Sequence, residues 1–153
     1  MITLQFSSTN QIGALLIQWG TWSWANHVDF VLPDGQLLGA AGIEGGGGVI
    51  VRPMHPLKHY KRVERYEVDA SDQVIDYALS QVGKPYDWAG VINFITRSRD
   101  WMEEDKWFCS ELVAWAFEKA GQPLLRGVCY RITPGNLLMS TKLQYTQLPD
   151  GIE

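Results

Sequence analysis

Two cysteines and three histidines in 153 residues leave little material for a thiolate metal cluster or a disulfide framework. Neither HExxH nor any cysteine-ligand spacing occurs, so no metal or other cofactor is expected. Basic residues are also short: 13 Lys and Arg against 17 Asp and Glu give a formal charge of −4. That balance argues against a nucleic-acid partner, which needs a clustered positive excess to displace counterions. The one basic stretch, Lys58 to Arg65, is broken by Tyr60, Val63 and Glu64 and reads as a solvated face. No apolar run is long enough to span a membrane, and "GALLIQW" is too short for a signal core. A cytoplasmic location is the expectation, with Cys109 and Cys129 as free thiols.

What the chain has in quantity is apolar and aromatic residues, 46% and 12%, including seven Trp. One core and a single domain over residues 1–153 follow from that length and composition. "MITLQFSS" alternates as a strand, and "NQIGALLIQWG" reads as a short helix. "NHVDFVLPDGQLLGAA" is a hairpin about Pro33-Asp34-Gly35, and "VIVRP" and "VERYEV" supply further strands. "GIEGGGG" between them is a loop, with no Lys-Ser/Thr pair behind it to make a phosphate cradle. "DASDQVIDYALSQVG" has a helical period that stops at Gly83, "VINFI" is a second apolar segment, and residues 96–106 form a loop. "ITPGNLLMS" reads as a turn and "LQYTQLP" as a last strand.

"WFCSELVAWAFEKAG" carries the chemistry. Cys109, Leu112, Val113, Ala116, Phe117 and Ala120 share one helical face, which places Cys109 in the first turn, where unpaired N–H groups favour a thiolate. Cys109 is thus either a small core residue or a nucleophile. A cysteine hydrolase needs an imidazole nearby. His55 and His59 are four apart, but Pro53 and Pro56 oppose a helix there. His27 opens a strand in which His27, Asp29 and Val31 share one face and Val28, Phe30 and Leu32 the other. With a three-residue hairpin loop, Asp29 falls opposite Gly39, which has no side chain to crowd it, so Asp29 can reach His27 and fix its tautomer. A structural His–Asp pair is the other reading. Trp19, Trp22 and Trp24 before His27 are either a substrate wall or core; Glu111 supports the helix dipole, and Asp87 reads as a turn residue.

"YALSQVGKPYDWAGV" followed by "WFCSELVAWAFEKAGQPL" resembles NlpC-type papain-like cell-wall peptidases, in which a Gly-Lys-Pro-Tyr turn precedes a Cys-Ser helix. The His strand comes first here, as in the circularly permuted branch related to lecithin retinol acyltransferase-like proteins, and "TPGNLLMS" is similar to that branch too. The resemblance covers about residues 13 to 140. It implies an α+β fold, an antiparallel sheet packed against helices in permuted order, with Cys109 as nucleophile, His27 as base and Tyr86 near the oxyanion. It departs at Gly39, where the family carries its third polar residue, so that Asp29, Gln36 or Glu44 must substitute, and at Asn26, where a Ser is common. The implied activity is amide hydrolysis on peptides such as those of cell walls. Acyl transfer or thioester hydrolysis on lipid-like groups is the nearest alternative, and a catalytically silent binding module is a third. Oligomeric state is not encoded in these features.

Overall fold

The computed structural model describes residues 1–8, 23–42, 47–56, 59–87, 107–127 and 132–148. Asn10–Gly20, "VINFI", the loop 96–106, Trp19, Trp22, Glu44 and Cys129 lie outside them. The chain folds as α+β: six strands in one sheet and three helices among the described residues. The strands are β1 (Ile2–Ser8), β2 (His27–Val31), β3 (Leu37–Ala41), β4 (Gly48–Arg52), β5 (Arg62–Val68) and β6 (Gln144–Thr146). Their spatial order is β4-β3-β2-β1-β5-β6, and every neighbouring pair is antiparallel. The helices are α1 (Gln73–Leu79), α2 (Cys109–Lys119) and α3 (Pro134–Leu138).

Paired residues share a face of the sheet, so the register divides the strands cleanly. Leu4 faces Phe30 and Tyr66, Phe6 faces Val28, and Phe30 faces Leu38. This row is the apolar floor of the core, and α2 lies on it, with Phe117 stacked on Phe30 at 6.2 Å between ring centroids. Each such aromatic removes enough surface from water to contribute about 2–3 kcal/mol. The opposite face carries Gln5, Ser7, His27, Asp29, Gly39, Arg52 and Arg65.

The hairpin has the expected three-residue loop. Leu32 N–H donates to Gln36 O at 2.8 Å, and Gly35 takes the left-handed conformation at φ +81° that closes such a loop. The pairing Phe30↔Leu38 puts Asp29 in register with Gly39.

On α2 the face read from the sequence is buried from Cys109 to Phe117. The helix ends in a Schellman motif, Gln122 N–H donating to Phe117 O and Gly121 N–H to Glu118 O, with Gly121 at φ +72°. The Gln122 side chain accepts from Ser71 N–H at 2.8 Å, which ties the end of α2 to the start of α1.

Three expectations are corrected. The helix after Asp69 stops at Leu79, short of Gly83, and Asp72 makes no side-chain cap bond. "TPGNLL" is a helix rather than a turn: Thr133 and Asn136 form a reciprocal capping box, and Pro134 begins the first turn, where its missing N–H costs nothing. Lys61 and Arg62 are solvated, but Arg65 is buried, because its strand position points it inward beside Gln5.

Candidate active site

His27 opens β2 and Cys109 opens α2, so both groups sit at the ends of elements. Contact between strand and helix at Phe30 and Phe117 sets their alignment. Three strand residues cover about 10 Å and eight helical residues about 12 Å, so running in the same sense they bring Cys109 and His27 to one end. There Cys109 is near enough for its charge to act on the His27 imidazole.

The second imidazole nitrogen, Nε2, lies 3.0 Å from Asp29 Oδ1, which leaves Nδ1 as the nitrogen for Cys109. Nε2–H donates to the carboxylate in that arrangement, fixing the tautomer and the ring plane. Asp29 is held in turn by the Arg52 guanidinium fork, Nη1 to Oδ1 at 3.0 Å and Nη2 to Oδ2 at 2.9 Å. Arg52 Nη2 and His27 Nε2, 3.4 Å apart, are thus two donors converging on one carboxylate.

Gly39 makes this possible. A Cβ built there would lie 2.1 Å from Asp29 Oδ1, so any side chain on β3 would evict the carboxylate. The carboxylate occupies the space opened by the residue that lacks a side chain, and Arg52 reaches it across β3 from β4.

Electrostatics follow from these contacts. Burial pulls the His27 pKa down, but the charges of Asp29 and Cys109 and the hydrogen bonds to both outweigh it and hold it up at about 10. Burial pushes Asp29 up, and the His27 and Arg52 charges and bonds reverse this, holding it at about 2. At neutral pH the pair is therefore imidazolium and carboxylate. The His27 side chain retains 19% exposure, whereas Cys109 is 0% exposed.

Tyr86 reaches the same place by backbone pairing. Trp107 N–H donates to Pro85 O and Asp87 N–H to Trp107 O, both at 3.1 Å, so Tyr86 lies beside the strand-like residue two before Cys109. Its ring packs on Phe108 at 6.0 Å. Burial, with the negative charges of Cys109, Asp87 and Glu111, raises its pKa, so its hydroxyl keeps the proton and remains a donor.

The structure thus gathers Cys109, His27, Asp29 and Tyr86. Of the other candidates for the third polar residue, Gln36 is excluded: it sits in the exposed hairpin loop with its amide on Asp34 Oδ2 at 2.9 Å. Glu44 lies outside the described residues. Trp24 packs against the core edge with the Arg62 guanidinium 4.2 Å above its ring. Arg52 is the residue that sequence reasoning missed. Its signal was weak, an arginine at the end of "VIVRP" with the parity of Ile50, because the register of β4 against Gly39 depends on the length of a glycine-rich connection.

Among the described residues no three His, Cys, Asp or Glu side chains form a metal site. Asp29 commits both oxygens to Arg52 and His27. The His55 and His59 rings approach to 5.9 Å between centroids with no third ligand among these residues. No described helix is long and apolar enough to cross a membrane.

No protein-family model matches the chain, and no curated protein is significantly similar to it. Among solved structures, the crystal structure of the metalloprotein yiiX from Escherichia coli O157:H7, assigned to DUF1105, superposes with a TM-score of 0.70. The match covers 95% of this chain and 94% of that one at 17% sequence identity. An identity that low speaks for the shared fold alone.

Proposed function

We propose that the chain is a cysteine hydrolase of permuted papain-like architecture that cleaves an amide bond in a peptide, with cell-wall peptides the favoured class. The observation that carries this reading is the relay itself: one imidazole that feels the charge of Cys109 and is bonded through Nε2 to a carboxylate pinned by Arg52. With His27 already an imidazolium, the reactive form is the ion pair in which the proton resides on Nδ1 and the Cys109 sulfur is a thiolate. The thiolate attacks the carbonyl carbon, and the Cys109 backbone N–H and the Tyr86 hydroxyl are the donors for the oxyanion. As the C–N bond breaks, His27 gives its proton to the departing amine and the acyl group remains on sulfur. His27, now neutral, then takes a proton from water, whose oxygen attacks the thioester; the C–S bond breaks, the acid departs, and the thiolate–imidazolium pair is restored. Asp29 keeps Nδ1 aimed at sulfur and stabilises the imidazolium.

The neighbouring fold belongs to a metalloprotein. The residues gathered here do not fit a three-ligand metal set, and no step of this mechanism uses one.

A thioesterase or acyltransferase would share the first half-reaction and differ in the leaving group or the acceptor. The complete burial of Cys109 favours a third reading, a binding module with a silent thiol. Trapping separates all three: the protein is incubated with cell-wall peptides or activated lipid esters and the mass of Cys109-containing peptides is measured. Peptidyl adducts support the amidase, and lipid acyl adducts the acyltransferase or thioesterase. If no adduct forms, Cys109 reacts with iodoacetamide no faster than a model thiol, and His27→Ala leaves that rate unchanged, the enzyme reading fails.

A further inference from the structure

Arg65 lies in the same row of the sheet as the relay. Gln5 is in register with Asp29 on one side and with Arg65 on the other. The Arg65 residue is only 7% exposed, yet its partners are neutral: Nε and Nη2 donate to Gln5 Oε1 at 3.1 and 3.0 Å, and Nη2 to the Met54 sulfur at 3.0 Å. No carboxylate among the described residues pairs with it, in contrast to Arg52. Because Gln5 Oε1 is taken by Arg65, the amide nitrogen is turned away, and it is buried with no hydrogen-bond partner. The Tyr60 hydroxyl, elsewhere among the described residues, is the other buried side-chain atom without a partner. A buried guanidinium beside an unpaired amide N–H₂ has donors in surplus and lacks an anionic acceptor.

We propose that Arg65 and Gln5 form a seat for a carboxylate carried by the substrate. The identification of the ligand as a substrate rests on the hydrolase reading; the seat does not. A carboxylate fits better than a phosphate. The planar guanidinium fork matches it, one negative charge is what Arg65 alone offsets, and Asp29 nearby already occupies Arg52. Met54 sulfur, a weak and mobile acceptor, holds the place that the carboxylate oxygen would take. Two strand spacings separate Arg65 from Asp29, about 10 Å, and His27 lies two residues further along β2. The carboxylate therefore sits roughly two to four extended residues from the scissile carbonyl, which suits the terminal or side-chain carboxylate of a short peptide.

The test uses N-acetyl-triglycine, its C-terminal amide, and N-acetyl-Gly-Glu-Gly amide as probes, with thermal stabilisation of the full chain as the readout. The expected result is a dose-dependent upshift with an acid that is about tenfold weaker with the matched amide, and loss of the difference in Arg65→Met. Triglycine acid responding alone identifies a terminal carboxylate, and the Glu peptide responding identifies a side-chain one. Equal shifts from acids and amide in the wild-type protein overturn the proposal, as does an acid preference that survives Arg65→Met. Should Arg65→Met not fold, Arg65→Lys, which keeps charge and loses the fork, is expected to weaken the acid preference; an undiminished preference overturns the seat. The same titration on Cys109→Ala separates the two claims. Acid preference there with an unreactive Cys109 in the wild type leaves the seat standing and removes the hydrolase, and acylation of Cys109 without acid preference does the reverse.

Discussion

On one face of the sheet Leu4, Phe6, Val28, Phe30 and Leu38 are sealed against α2; on the other Gln5, Ser7, Asp29 and Arg65 are buried almost as deeply. The apolar face owes its stability to area removed from water, which is non-directional and tolerant of volume-conserving exchange. The polar face depends on named partners: the carboxylate of Asp29 has its fork and imidazole, and the loss of one leaves the others charged in a dry place. Burial thus reports two different designs. One holds the fold, and the other has been bent toward a site at the cost of tolerance.

The sharpest break of this contrast is Asp29→Ala. It strands Arg52 and His27 without a counter-charge, and unfolding in urea is expected to show a loss of about 3–5 kcal/mol, together with a fall in Cys109 alkylation. The same ion pairs set the pH dependence. His27, raised from 6.5 to about 10, contributes stability that is complete below 6.5 and lost as pH rises towards 10. Asp29, lowered from 3.8 to about 2, contributes stability that is complete above 3.8 and lost as pH falls towards 2. Thermal midpoints should therefore plateau between these limits and decline on both sides, and Asp29→Asn should flatten both declines.

On the apolar face Leu4→Ala, at a fully buried position, should cost about 3–4 kcal/mol in the same urea assay. Its alkylation rate per folded molecule should stay near the wild-type value, since the relay is untouched; a collapse of that rate would mean that the two faces are not separable. Gly39→Ala adds one methyl to the polar face and should cost about 2–3 kcal/mol by overpacking, with the His27 ring resonance in NMR losing the signature of its Asp29 bond. Smallest is Thr133→Ala, about 1 kcal/mol from the lost cap of α3, with no change in the pH profile.

How far the sequence foretold this division depends on the range of the interaction that carries each part. Alternation in "MITLQFSS" and "NHVDF" and the Pro-Asp-Gly turn fixed the hairpin register, and with it the opposition of Asp29 and Gly39, because those signals are local. The buried face of α2 was legible for the same reason. Arg52 and Arg65 were not, since a charged residue on a strand reads as solvated until the strands beside it are known. Arg65 is buried by its neighbours Gln5 and Met54, and Arg52 reaches over a glycine two strands away from its target. Helix α3 was missed because Pro134-Gly135 has the composition of a turn. The Thr133 to Asn136 box outweighs that, and Gly135 is needed there because a Cβ would meet Ser23 at 2.7 Å.

Gly48 at the head of β4 sits so close to Lys84 that a Cβ would fall 2.5 Å from its carbonyl oxygen, while Val49 N–H donates to that oxygen and Gly83 N–H to Val49 O. The strand that ends in Arg52 is in this way fastened, through main-chain bonds, to the segment that pairs Tyr86 with Trp107 just ahead of Cys109. Spacing between the strand carrying Arg52 and the stretch leading to Cys109 is consequently inherited from peptide groups, which substitutions elsewhere leave in place. Side chains on both segments can be exchanged without disturbing that fastening, provided that this one position stays bare.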